Sequence, residues 1–98
     1  MVMEPFHNVT LGAEGGPYPC PCCHYVTLSE RGDDDICPVC FWEDDGQDDH
    51  DADEVRGGPN YSLSLTQARI NFAAIGAAET RVLKFVRPPH PEELPHPV

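Results

Sequence analysis

Basic side chains are scarce in this sequence: its 98 residues hold six Lys and Arg against seventeen Asp and Glu, a formal net charge of −11. The deficit is concentrated in residues 1–54, where fourteen acidic side chains face Arg31 as the single cation, whereas residues 55–98 carry five basic and three acidic ones. A chain charged in this way repels phosphate backbones, which sets nucleic acid aside as a partner. Long apolar runs are missing too. No stretch approaches the ~20 apolar residues of a membrane span. Nothing from Met1 to Gly16 joins a positive segment to an apolar run of about seven to fifteen residues, so no secretion signal is expected. The five cysteines leave one over in any all-disulfide scheme. Together these absences point to a reducing, cytoplasmic setting in which thiols stay available for metal. A 40% hydrophobic chain of this length allows one small domain with a modest core, for which a metal ion would be a useful staple.

What is present is a pair of cysteine turns. Cys20-Pro21-Cys22-Cys23 and Cys37-Pro38-Val39-Cys40 each have the form Cys-Pro-x-Cys, and thirteen residues separate Cys23 from Cys37. The resulting C-x2-C-x13-C-x2-C pattern is close to the spacing of four-cysteine zinc sites. Two thiolates on one tetrahedral ion must point at a common centre, and a tight turn with two intervening residues does this. Proline suits its second position because the ring pre-sets φ and removes one donor that would need a partner. The predicted ligands of one Zn2+ per chain are therefore Cys20, Cys23, Cys37 and Cys40. Cys22 stands where Val39 stands in the second turn, so its side chain should point away from the metal. A competing set brings in Cys22 with His24, or His24 in place of a cysteine, and a redox role for Cys22 is a third reading. His7, His50, His90 and His96 sit in polar or Pro-rich surroundings and are expected to be solvated.

Along the chain, residues 1–17 read as an N-terminal arm rich in Gly and Pro, with a brief strand possible around Phe6 to Leu11. The β-prone His24–Leu28 run, the Glu30–Asp33 turn and the short segments flanking the second cysteine turn predict zinc-ribbon-like β-hairpins. Glu43 to Glu54 contains eight acidic residues among twelve and reads as a solvated loop; no register completes a calcium-binding EF-hand. After Gly57-Gly58-Pro59-Asn60, the Ser64-Leu65-Thr66-Gln67 stretch predicts a capping box at a helix start. Leu65, Ala68, Phe72 and Ile75 share one helix face, which should dock on Tyr25, Phe41 and Trp42, and Gly76 should end the helix. Val82, Phe85 and Val86 also fit a short helix, with a strand as the alternative because two of the three are β-branched. Arg81, Lys84 and Arg87 form a basic cluster expected to fold back on the acidic half, and the Pro-rich tail 88–98 is expected to lack regular structure. The fold class is thus small α+β, with one or two packed helices after the cysteine turns, in a domain spanning residues 18–87.

The order of these motifs, from Cys20-Pro21-Cys22-Cys23 through Cys37-Pro38-Val39-Cys40-Phe41-Trp42-Glu43-Asp44-Asp45 and Gly57-Gly58-Pro59-Asn60 to Ala68-Arg69 and Asn71-Phe72, resembles the cysteine-rich CPCC domain family of bacterial proteins. The resemblance implies a zinc-ribbon-like metal site and assigns no biochemical task, since that family has no established activity. Four thiolates would close the metal's coordination and leave no position for water, and no nucleophile-and-base pattern accompanies them, so an enzyme is not expected. The leading expectation is a structural zinc site in a module that recognises another protein. An acidic inhibitor or immunity-type protein with a basic partner is the alternative. A rubredoxin-like iron carrier is a second alternative, weakened because His24 and Phe41 follow the turns where glycine is usual there.

Overall fold

The computed structural model describes residues 17–94, and the expected N-terminal arm, with Pro17 excepted, lies outside them. Each cysteine turn closes its own short ladder. Strand β1 (Tyr18–Pro19) pairs antiparallel with β2 (Val26–Leu28) across the first turn, with an irregular register that sets Tyr18 opposite Leu28 and Pro19 opposite Val26. Across the second turn a single antiparallel bridge joins Ile36 to Glu43. Backbone bonds from Asp34 N–H to the Asp44 carbonyl (2.9 Å) and from Asp44 N–H to the Asp35 carbonyl (2.9 Å) continue it. The architecture is therefore a two-stranded antiparallel hairpin and one main helix. The expected strands around the second turn shrink to that bridge, because short acidic segments have little apolar surface to bury along a sheet face.

The helix α1 (Leu65–Ile75) forms where the sequence places it. Ser64 Oγ accepts from Gln67 N–H at 3.1 Å, and Gly76, at φ 82°, closes the helix by donating to the Phe72 carbonyl at 2.8 Å. The capping box is only half made, since the Gln67 amide donates to Asn71 Oδ1 (2.9 Å) instead of reaching back. Leu65 and Ala68 are fully buried, Phe72 meets Tyr25 edge to face at 6.3 Å, and Ile75 remains 40% exposed. The core joins Leu65 and Ala68 to Leu28, Trp42 and the cysteines. Phe41 departs from expectation by stacking on Phe85, with ring centroids 5.1 Å apart. The second helix is a 3-10 segment, Thr80–Phe85, rather than α.

The acidic stretch is folded, which corrects its reading as a solvated loop. Asp44 and Asp48 are fully buried around Arg31: the guanidinium donates from Nε to Asp44 Oδ2 (2.8 Å), from Nη1 to Asp48 Oδ2 (2.9 Å) and from Nη2 to the Gln47 carbonyl (3.1 Å). Gln47, also fully buried, donates its amide to the carbonyls of Asp51 (2.9 Å) and Glu54 (2.7 Å). Asp51 pairs with Arg56. Burial alone would raise the Asp51 carboxyl, but the Asp48 N–H and Arg56 outweigh it and hold it below the usual range. With one cation in the first 54 residues, the fully buried Asp44 and Asp48 converge on it while Asp51 takes Arg56, because an unpaired buried charge costs several kcal/mol.

The basic cluster does not fold back on this region. Arg81 pairs with Glu79 (2.9 Å) and Arg87 with Glu93 (2.8 Å), so the nearest acids in sequence take them. For residues 88–94 the Arg87–Glu93 fork also corrects the expectation of a tail without regular structure, since Pro91–Glu93 forms a 3-10 turn and packs near β2, while the rest of the expected tail, 95–98, lies outside the described residues. No helix among the described residues is long and apolar enough to cross a membrane.

Candidate metal centre

The two cysteine turns have the same internal bonding. Cys20 N–H donates to the Tyr25 carbonyl (2.8 Å) as Cys37 N–H does to that of Trp42 (3.0 Å), and His24 N–H donates to the Cys20 carbonyl (2.8 Å) as Phe41 N–H does to that of Cys37 (2.7 Å). The residue after each closing cysteine takes a left-handed conformation, φ 69° at His24 and 68° at Phe41. This conformation turns the following N–H inward, and Trp42 N–H reaches Cys40 Sγ at 3.4 Å.

The turns face each other and bring four sulfurs together. Sγ atoms of Cys20, Cys23, Cys37 and Cys40 all lie within 4.8 Å of one another. The close approaches run between turns, Cys20 to Cys40 and Cys23 to Cys37, each at 3.6 Å. A tetrahedron with Zn–S arms of about 2.3 Å has edges of about 3.8 Å, so the donor set fits one such ion. All five cysteines are free thiols. Burial raises the Cys20 thiol, while the sulfurs of Cys20, Cys23 and Cys40 and then the Thr27 hydroxyl hold Cys37 far below its usual range. Four thiols crowded in a dry site favour charge at one sulfur, and a divalent cation would let all four ionise.

Other candidate residues stand apart from this group. Cys22 is buried (3% exposed) but is not one of the four converging sulfurs, and His24 is exposed on the outside of its turn. Among the described residues, the four cysteines are the one group of three or more His, Cys, Asp or Glu side chains close enough to share an ion. The carboxylates of Asp44, Asp48 and Asp51 are committed to arginines and backbone instead.

Several supporting residues escaped the sequence reading. Thr27 Oγ1 donates to Cys37 Sγ at 3.0 Å from β2. The carbonyls of the equivalent prolines are both held from outside, Pro21 by Arg69 Nε (2.8 Å) and Pro38 by Arg87 N–H (3.1 Å), and Ala78 N–H holds the Cys40 carbonyl (2.8 Å). Arg69 also reaches Asp49 (2.7 Å), tying helix, first turn and acidic segment together. Asn60 pairs with the Glu43 backbone like a strand edge, donating at 2.7 Å and accepting at 3.2 Å. Only the lone Arg31 in an acidic half offered a sequence signal.

The family profile for cysteine-rich CPCC domains matches residues 18–93, the whole of the region that builds this centre. The chain belongs to the cysteine-rich CPCC family. No curated protein and no solved structure matches it. In this CPCC chain the match takes in both cysteine turns, the Arg31-centred acidic segment, α1 and the Arg87–Glu93 clasp, so these parts form one family unit.

Proposed function

We propose that the four thiolates of this CPCC domain hold one Zn2+ in a closed, zinc-ribbon-like site whose role is structural, and that the protein acts by recognising another protein. The observation that carries the metal reading is the convergence of the four sulfurs, with two cross-turn distances of 3.6 Å against a tetrahedral edge of about 3.8 Å. Cys20, Cys23, Cys37 and Cys40 would hold the ion, Thr27 and the Trp42 N–H would steady the sulfurs, and no ligand position would remain for water. Bound zinc would supply the charge that lets four buried thiolates coexist. Catalysis is not part of this reading.

Recognition of a basic protein partner is favoured by Asp33, Asp34, Asp49, Asp53 and Glu54, which remain exposed outside the Arg31 cluster. An iron-binding, rubredoxin-like alternative keeps one specific support: His24 and Phe41 adopt the left-handed conformation that glycine would take at the same positions. Metal analysis of the purified chain separates the two metals. One colourless zinc per chain, lost together with the fold of residues 18–45 in Cys37→Ser, is the expected result. A red protein that bleaches on reduction would replace zinc by iron.

A further inference from the structure

Beside the second cysteine turn lies a cavity of about 130 Å3 walled by Phe41, Glu43, Tyr61, Glu79 and Arg81. Two of its aromatic residues have left-handed backbones. At Phe41 that conformation serves the cysteine turn, and at Tyr61, φ 56° and ψ −123°, it follows the 3-10 turn Gly58–Asn60, which the Tyr61 N–H caps by donating to the Gly58 carbonyl at 3.1 Å. Glycine alone takes that conformation freely, so the ring is kept at a conformational cost. Yet Tyr61 is 65% exposed, so burial does not explain it, and its ring lies under the Arg81 guanidinium at 4.9 Å.

The charges around the cavity are unbalanced. Arg81 is paired with Glu79 at 2.9 Å, whereas none of the ion pairs among the described residues involves Glu43. Burial, then Asp34 and Asp45, hold the Glu43 carboxyl above its usual range, as expected for an acid without a cation. Asn60 fixes the Glu43 backbone at the cavity wall through two hydrogen bonds. The walls therefore carry one net negative charge on a protein of net charge −11.

We propose that this cavity receives one arginine side chain of a protein partner, with its guanidinium against the Tyr61 and Phe41 rings and paired to Glu43. The proposal rests on the protein-recognition reading above and names the chemistry at its anchor. Anions are repelled, and a neutral guest would leave Glu43 unpaired. A cavity of this size admits a planar guest of about benzene dimensions. A guanidinium is planar, weakly hydrated and stacks on aromatic faces, where an ammonium is compact and strongly hydrated. Arg81 already shows the arrangement within the protein, one guanidinium shared between an aromatic face and a carboxylate.

The test is a titration of the zinc-loaded, 15N-labelled full chain with N-acetylarginine amide, and in parallel with the lysine amide and with N-acetylcitrulline amide, which has arginine's shape without its charge. Saturable shifts at the Glu43, Tyr61 and Leu63 amides are expected with arginine, about tenfold weaker or more with citrulline. Glu43→Gln should weaken arginine binding by a similar factor. Tyr61→Gly removes the ring while relieving the backbone, and should abolish the saturable response with zinc content unchanged. Equal binding of citrulline, unsaturable shifts, or wild-type binding in both variants would overturn the cavity, and equal binding of lysine would overturn the choice of arginine. A basic protein held equally by wild type and both variants would remove the cavity and leave recognition standing. Arginine binding without any protein partner would do the reverse.

Discussion

Replacing Arg31 with alanine should unfold much of the acidic segment. The side chain is 3% exposed and holds Asp44 at 2.8 Å and Asp48 at 2.9 Å, two carboxylates that are themselves fully buried. Breaking a buried pair by removing one partner costs about 3–5 kcal/mol, because the remaining charge is left uncompensated. Here two charges are left, which places the expected cost at the upper end. Against the roughly 5–15 kcal/mol of total stability usual for a domain, that is a large share. Urea unfolding of the zinc-loaded protein, followed by fluorescence of the fully buried Trp42, reads it directly. With a urea slope of about 1.5 kcal/mol/M, the midpoint should fall by about 3 M. Combining Arg31→Met with Asp44→Asn and Asp48→Asn should recover part of the loss, since no unpaired charge then remains. A cost of about 1 kcal/mol or less for Arg31→Ala, the value of an exposed pair, would refute the buried cluster.

Thr27→Val keeps the β2 side chain's shape but removes the 3.0 Å donor to Cys37 Sγ, so zinc affinity measured by chelator competition should fall by about 10–100-fold. Asp35 is held below the usual carboxylate range by the Ser29 hydroxyl (2.6 Å) first and by the Ser29 and Glu30 N–H groups (3.2 Å each). Its contribution is then complete above the ordinary value of about 3.9 and lost only as pH falls through the lower folded one. The stability difference between wild type and Asp35→Asn should accordingly be the same at pH 7 and pH 5, and shrinkage within that window would contradict the assignment. Gly76→Ala meets no atom within 4 Å but must adopt φ 82°, so thermal unfolding should show a loss of about 1–2 kcal/mol from backbone strain alone.

The features that repeat or carry a local signal were legible in the sequence. The two Cys-Pro-x-Cys turns announced their geometry because two thiolates two residues apart can share one centre, and Ser64 and Gly76 marked α1 through local backbone bonds. What was hidden depends on partners far apart in the chain. Arg31 reaches residues 13 to 17 positions away, and Arg69 reaches Pro21 across 48. A single side chain bonding to a distant carbonyl leaves no period and no composition signal. Acidic density suggested solvent exposure at Glu43 to Glu54 because the count of carboxylates says nothing of whether one guanidinium gathers them. Conversely, the basic residues near the C-terminus suggested long-range attraction, while Glu79 and Glu93 lay closer at hand.

Metal-edge X-ray absorption on the purified chain tests the central claim most directly. The proposed site predicts one zinc per chain with four sulfur neighbours at about 2.3 Å and no oxygen or nitrogen bound to it. A shell with fewer than four sulfurs, with a histidine nitrogen, or around iron instead of zinc would contradict it.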